Sequence, residues 1–234
     1  MPKLKPDTQH ARRENILDAA ERCFARTGFH RTTMQDICRE ATVSPGALYV
    51  YFASKEELIA GITERDRSKL AAGLAQVAQA PDLIRALARL AEHYAVEEPR
   101  HKQQLVVEIG CHSMRDGPVG DIFRSCDTFV LAQFEALFER AHAEGKIDPG
   151  VDYRTLAQAV AVIGDGLFWR RAVDPHFDGA KIIPVVTGML ATLINPVTSP
   201  PLDPSTVPAQ SKPAQTKSAN IAPKSTRAKA STKA

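Results

Sequence analysis

The side chains best suited to chemistry in this sequence are hydrogen-bond donors for phosphates and base edges, and they crowd into residues 31–55. Arg31 offers a guanidinium to a phosphate, and Thr33 offers a hydroxyl and a backbone N–H. Gln35 carries an amide that fits a base edge such as that of adenine. Ser44, Pro45, Gly46 and Ala47 open a short segment whose small residues let a nucleic-acid backbone come close. The free N–H groups and dipole of a helix start there would favour phosphate. Tyr49 suits a thymine methyl or a sugar, and Tyr51 and Lys55 suit phosphates. No Arg or Asn falls within 44–52, so base reading leans on apolar contacts, Gln35 and DNA shape. Catalytic chemistry has no comparable grouping: G-x-S-x-G, H-E-x-x-H, P-loop and dinucleotide fingerprints are absent, so an enzyme is not expected. The 7 histidines show no convincing metal-ligand spacing and the 4 cysteines form no C-x-x-C pair, so no metal or cofactor is expected.

Those donors act together only if local structure holds them. Thr33 can cap a helix, with Asp36 three residues on as a loose capping box, and Met34, Ile37, Cys38 and Ala41 then recur at helical spacing. Residues 42–44 make a turn. Ser44 is a good N-cap and Pro45 a good first helical residue, since its missing N–H would be unpaired there anyway. Leu48 and Phe52 share the buried face of this short helix. Ser54 and Glu57 form a full capping box that opens another helix. Two helices joined by a tight turn, the second short and presenting small and aromatic groups, make a helix-turn-helix DNA reader. A generic helical hairpin is the plain alternative.

Gly28, Phe29, Thr33, Ile37, Ala41, Val43, Ser44, Leu48-Tyr49, Tyr51-Phe52, Ser54-Lys55 and Leu58 stand at fixed spacings over about residues 11–61. In that pattern the stretch resembles the DNA-binding domain of the TetR family of bacterial transcription regulators. The resemblance implies an all-α protein: an N-terminal three-helix helix-turn-helix domain over 9–69, and a helical effector-binding and dimerisation domain over 70–195. It also implies a homodimer built through the last two helices, double-stranded DNA with a palindromic operator as partner, and a small-molecule effector. Residues 164–175, GDGLFWRRAVDP, resemble the C-terminal segment of the subgroup related to the choline-responsive regulator of betaine synthesis. Choline is not carried over, because a cage for a quaternary cation wants several aromatics around it and Trp169 is the only Trp.

The remaining chain reads as helices over about 8–27, 54–80, 82–98, 100–114, 119–144, 152–173 and 179–194, broken at Gly28, Pro81, Pro99, 115–118 and 145–150. The 54–80 helix joins the reader to everything downstream. With 234 residues and 44% hydrophobic content the chain can bury one or two cores. No run of eighteen apolar residues or secretory signal is visible, so a cytoplasmic bacterial protein without membrane attachment is expected. The formal net charge is +3, yet residues 196–234 carry six Lys or Arg and one Asp. That tail, rich in Pro, Ser, Thr, Ala and Lys, is expected to be disordered, serving as a solubilising tail or a basic tether for DNA. Lys3, Lys5, Arg12 and Arg13 are placed to wrap a neighbouring groove. Cys23 and Cys38 read as small core hydrophobes.

Effector candidates, following the resemblance, are the residues expected to face inward: Leu70, Leu87, His93, Leu105, Ile109, His112, Cys126, Phe129, Val130, Gln133, Phe134, Asp165, Phe168 and Trp169. A mostly apolar pocket with a few placed polar groups is the common design, here pointing to a hydrophobic or aromatic effector. The dimer candidates are Leu156, Ala159, Val160, Ile163, Gly164 and Leu167 on the eighth helix. On the ninth they are Ile182, Ile183, Val186, Met189, Leu190 and Leu193. The expected function is a repressor released from DNA by its effector. The alternatives are an activator, or a structural or division-coupling DNA-binding protein without an effector.

Overall fold

The computed structural model describes residues 6–114 and 117–197. The expectations for Lys3 and Lys5, for Arg115 and Asp116, and for the tail beyond residue 197 lie outside the described residues. Among the described residues there are nine α-helices, one π-helical turn and a single isolated β-bridge, Ile147 to Pro196. The chain is all-α.

Helix α1, Pro6–Thr27, buries Ile16, Leu17, Ala20, Cys23 and Phe24 along one face. It stops at Gly28, whose φ of 83° is left-handed and whose N–H donates to Phe24 O at 2.7 Å. Helix α2, Met34–Ala41, is capped by Thr33, and here the capping box is complete: Asp36 N–H donates to Thr33 Oγ1 and Thr33 N–H donates to Asp36 Oδ2. After the turn at Thr42, helix α3, Pro45–Tyr49, is capped by Ser44 Oγ, which accepts from Ala47 N–H at 3.2 Å. Helix α4, Lys55–Gln79, is capped by Ser54, but Glu57 returns its bond to Ala53 N–H, not to Ser54. The reciprocal box expected at Ser54 is thus spread over one more residue.

Leu83–Glu92 forms α5, capped by Asp82, and runs into the π-helical turn His93–Glu97. The extra residue of that turn shifts the helical phase, so Ala95 is buried while His93 faces solvent. Helices α6, Arg100–Ser113, α7, Pro118–Ala143, α8, Tyr153–Val173, and α9, Gly179–Ile194, complete the order.

Three apolar clusters hold these helices. The first joins α1 to α4 and also takes in Leu105 and Ile109 of α6 and Val119 of α7. Core built around the reader therefore extends well past residue 69. Helix α4 approaches α1 so closely at Gly61 that an added Cβ would lie 2.9 Å from Phe52 Cε1 and 3.0 Å from Leu17 Cδ2. The second cluster joins α4, α5, α7, α8 and α9 around Phe138, Leu156 and Ile194. The third is small: Ala95, Leu167 and Ile183. Burying one such Leu, Ile or Phe contributes about 1.5–3 kcal/mol.

Candidate DNA-reading surface and internal cavity

The start of α3 stands clear of the body, because Leu48 and Phe52, both buried, turn the opposite face outward. Ser44, Pro45 and Gly46 are exposed and Ala47 is half-buried. Tyr49 is 54% exposed, and Val50, which the sequence reading passed over, is 79% exposed. Thr33, the N-cap of α2, and Gln35, in its first turn, are exposed and precede this face in sequence. Thr33 Oγ1 also donates to Asp36 Oδ2 at 2.6 Å, so its hydroxyl hydrogen is committed to the cap. Arg31 is exposed and its Nε donates to Thr27 O, which leaves the Nη groups for another acceptor. Tyr51 is half-buried against the first cluster. Lys55 is the most constrained of the set: its Nζ donates to Phe29 O at 2.6 Å and His30 O at 3.1 Å, and lies 4.6 Å from the Phe29 ring centre. Its ammonium staples α4 to the α1–α2 loop, with one of three donors left over.

Behind the reader, α4 to α9 line a cavity of about 300 Å³ that opens to solvent on one side. Its walls are mostly apolar, with Leu70, Leu87, Leu90, Val130, Leu167 and Leu190, and with the rings of Tyr94, Phe123, Phe134 and Phe168. Of the residues expected there, Leu70, Leu87, Cys126, Val130, Phe134, Asp165 and Phe168 line it.

The others do not, each for a local reason. The π-helical turn leaves His93 outside, with Nδ1 3.1 Å from Glu97 Oε2. Leu105 and Ile109 occupy the opposite face of α6 and belong to the core built around the reader. His112 packs its ring against His30 and Phe29, centroids 4.6 and 5.7 Å away. Phe129 lies on the flank of α7 under the Arg67 guanidinium, 4.3 Å from the ring centre. Gln133, on the same flank, is not among the cavity-lining residues. Trp169, one residue past Phe168, is turned outward and half exposed.

The sequence reading missed apolar wall such as Leu90, Val106 and Phe123, and it also missed a polar set: Asp66, Arg67, Glu98, Lys102, Gln103 and Asp127 all reach the cavity. Their sequence signal was a polar residue on an otherwise inward face, as with Asp66 four residues before Leu70. Lys102 Nζ bonds Glu98 Oε1 at 2.9 Å and lies 3.8 Å from Asp66 Oδ1. Burial raises the Asp66 carboxyl pKa, against the pull of Lys102 and Arg65. Burial, with Glu98 and Asp66 nearby, pushes Tyr94 up to about 12. Asp165 reaches solvent at the rim, yet burial of its surroundings and then Asp127 raise its pKa.

An ionic ladder leads from this wall to the reader. Arg65 follows Lys102 and Asp66, and its guanidinium bonds Glu14, Asp18 and Glu21 on α1. Burial works against the Arg65 cation, but Glu21, Glu14 and Asp18 outweigh it and raise its pKa. Glu21 is 2% exposed, and burial raises its pKa more than Arg65 and Lys102 lower it. A second tie is the Phe29 N–H, which donates to Glu108 Oε1 of α6 at 2.5 Å. Among the described residues no group of three His, Cys, Asp or Glu is placed to hold a metal ion, and no helix is long and apolar enough to cross a membrane.

The exposed apolar residues of α8 and α9 form stripes distinct from the cavity wall. They are Val162, Trp169 and Val173 on α8, and Ile182, Val185, Met189 and Leu193 on α9. Several residues named for a dimer face from sequence look inward instead: Val160, Ile163, Gly164, Leu167, Val186 and Leu190 line the cavity, and Leu156 and Ile183 are buried. Wide apolar character on both helices hid which stripe was which.

The sequence profile described as "Bacterial regulatory proteins, tetR family" matches residues 16–62. The HTH-type transcriptional regulator UidR of Escherichia coli (strain K12) is 30% identical over 142 residues, covering 60% of this chain and 71% of UidR. The solved structure of Salmonella enterica GusR superposes with a TM-score of 0.67 at 29% identity, over 79% of this chain and 96% of GusR. A complex of SmeT, from Stenotrophomonas maltophilia, with triclosan superposes at 0.68 with 25% identity, over 85% and 97% of the two chains.

Proposed function

The chain belongs to the TetR family of bacterial transcription regulators, and from that premise we propose that it is a dimeric repressor released from its operator by a small hydrophobic effector. One observation carries the reading: the helix that walls the cavity with Lys102 and Gln103 also fills core around the reader with Leu105 and Ile109. An occupant that displaces α6 must disturb the reader too, because packed interiors transmit strain. The α1–α4 ladder through Arg65 supplies a parallel route. Asp66 and Glu98 sit at its cavity end, within reach of the occupant. The cavity argues against an effector-less structural protein of the same fold, and the SmeT relative solved with triclosan supports a small-molecule occupant.

On the DNA side, α3 enters the major groove, with Tyr49 at base edges beside Ser44, Pro45, Gly46 and Ala47. Val50 joins Tyr49 as an apolar contact. Gln35 reaches a base from α2, and Arg31, Tyr51 and the remaining donor of Lys55 meet phosphates, while Thr33, whose N–H and hydroxyl both bond Asp36, holds the start of α2 in place beside them. Two readers are needed for a palindromic operator, with half-sites about 34–36 Å apart or a multiple of that. The outward stripes of α8 and α9, including Trp169 and Met189, pair with a second copy in a four-helix arrangement.

Effector and DNA oppose each other by the same factor in both directions, about 5- to 150-fold for a coupling of about 1–3 kcal/mol. Fluorescence anisotropy on duplexes selected from a random pool tests this. Weaker binding in the presence of an occupant of the cavity is the expected result. Equal DNA affinity with the cavity filled and empty refutes the release mechanism.

A further inference from the structure

We propose that the effector is an organic cation: a protonated amine carried on a compact apolar or aromatic body. The proposal rests on reading the cavity as the effector site, and it is carried by the polar atoms left without partners there.

Four carboxylates line the cavity, Asp66, Glu98, Asp127 and Asp165, against two cations, Lys102 and Arg67. Glu98 and Lys102 satisfy each other at 2.9 Å. Arg67 is drawn away over the Phe129 ring, with Glu64 3.9 Å from it. Asp66 Oδ1 keeps only a long 3.8 Å approach to Lys102 and a 4.0 Å approach to Arg65. No Lys, Arg or His nitrogen among the described residues comes within 4.0 Å of Asp127 or Asp165. Both are exposed at the rim of the cavity, and burial of its surroundings, followed by Asp127, raises the pKa of Asp165. A positive charge between them relieves that repulsion.

The second observation is independent of charge. Gln103 lines the same cavity and is 2% exposed. Its Nε2 donates to Tyr94 O at 2.6 Å, which fixes the amide: the reverse orientation would set oxygen against oxygen. Gln103 Oε1 is thereby an acceptor, and it has no partner. Asp66 Oδ1 also lacks a hydrogen bond. The other two buried side-chain atoms without partners among the described residues, Arg65 Nε and Arg171 Nε, belong to residues that do not line the cavity. Each unmet polar atom of the cavity wall is an acceptor. An occupant must bring donors to meet them, because a buried acceptor without a donor is costly.

A neutral phenol or alcohol would answer Gln103 but bring no charge to the acidic side of the cavity. A carboxylate ligand would add to them. An ammonium supplies both the N–H donors and the charge, and a wall that includes the rings of Tyr94, Phe123, Phe134 and Phe168 suits a cation on an apolar body.

Three probes of one shape test the proposal: 4-phenylbutylamine, 4-phenylbutanol and 4-phenylbutanoate, titrated calorimetrically into the full-length protein at neutral pH. The amine is expected to bind at least about tenfold more tightly than the alcohol, with the carboxylate weakest. In the double variant Asp127→Asn, Asp165→Asn the amine-to-alcohol ratio is expected to fall to about one, the alcohol serving as the check that the cavity is intact. An amine that fails to bind, or binds no better than the alcohol, overturns the proposal. So does a ratio untouched by the double variant. A partner-subunit cation seated on Asp127 and Asp165 would produce the first of these failures. If the alcohol binds and weakens DNA binding while the amine does neither, the repressor reading survives and the cation fails. If the amine binds with the expected preference and DNA affinity does not change, the cation stands and the release mechanism fails.

Discussion

Replacing Arg65 by Ala removes the one cation that bonds Glu14, Asp18 and Glu21 together. The cost concentrates on Glu21, whose side chain is 3% exposed, whereas Glu14 and Asp18 at 29% and 54% can turn to water. Breaking a buried pair from one side costs about 3–5 kcal/mol. For a chain of this size that is roughly 6–20 °C in Tm, compared at fixed protein concentration. The pH dependence has a definite sign. Burial holds the Glu21 pKa above its ordinary value even with Arg65 present, so the fold favours the protonated carboxyl. That contribution is fully present below the unfolded-state pKa and is lost as pH rises through the folded one. Without Arg65 the folded pKa climbs further and the loss at neutral pH grows. The charges still facing Glu21 in the variant are Lys102, Asp66 and His101, the last with Nε2 4.0 Å away and its own pKa lowered by burial. Arg65→Ala should therefore regain stability relative to wild type between about pH 7.5 and about pH 5.5, a window above the ordinary carboxylate range. Urea unfolding at both values measures it, and Glu21→Gln in the Arg65→Ala background should recover at least about 1 kcal/mol at the higher pH. A loss below about 1 kcal/mol, or no recovery with Glu21→Gln, would mean that water reaches Glu21 and that the ladder is not a buried tie.

Glu108→Ala leaves the Phe29 N–H without its charged acceptor and is expected to cost about 1.5–3 kcal/mol by denaturant unfolding; a change under about 0.5 kcal/mol would remove this tie from the coupling route. Tyr49→Ala should weaken operator binding by about 1–3 kcal/mol, the range of one lost base interaction, with Tm unchanged because the ring is 54% exposed. Lys55→Ala differs by lowering Tm as well, since its ammonium holds the carbonyls of Phe29 and His30, and calorimetry separates the two variants. Met189→Glu, on an outward stripe, should convert the dimer to monomers in sedimentation and abolish operator binding; a variant that stays dimeric places the interface elsewhere.

Much of the architecture was legible because it is local. Ser44, Asp82 and Asp152 cap helices where the chain's own patterning starts them, and Gly28 ends α1 with the positive φ its position asked for. The exposed face of α3 followed from the burial of Leu48 and Phe52. What escaped depends on partners distant in sequence. A continuous helix over 82–98 puts His93 inward, and only the π-helical turn, stabilised by tertiary packing around Ala95, rotates it out. Leu105 and Ile109 share a face, but no pattern within α6 says whether that face meets the cavity or the reader. On α9 from Ile182 onward, and on α8 between Leu156 and Trp169 apart from Gln158 and Asp165, the residues are apolar or small, so periodicity could not separate the cavity wall from the outward stripe. The acidic lining was missed for a related reason: a charge on an inward face looks like a solvated one until the opposing helices are in place.

Helix α6 is where the two halves of the protein stop being separable. Between Lys102 and Ile109 it presents Glu98's partner Lys102 and the half-satisfied Gln103 to the cavity, and Leu105, Glu108 and Ile109 to the reader. A ligand with no preference between the two positions of this helix shifts nothing, however tightly it binds. A hundredfold loss of DNA affinity needs a hundredfold preference of the ligand for the released form, about 2.7 kcal/mol. That is close to the worth of one charged hydrogen bond, about 1.5–3 kcal/mol. Gaining a donor for Gln103 Oε1 is of that size, whereas a loss of the Glu108–Phe29 bond on release would add its own cost to what the ligand must supply. For the proposed release, a ligand that breaks the Glu108–Phe29 tie by displacing α6 must therefore make two contacts of this worth in the displaced form, one to offset the lost bond and one to set the preference.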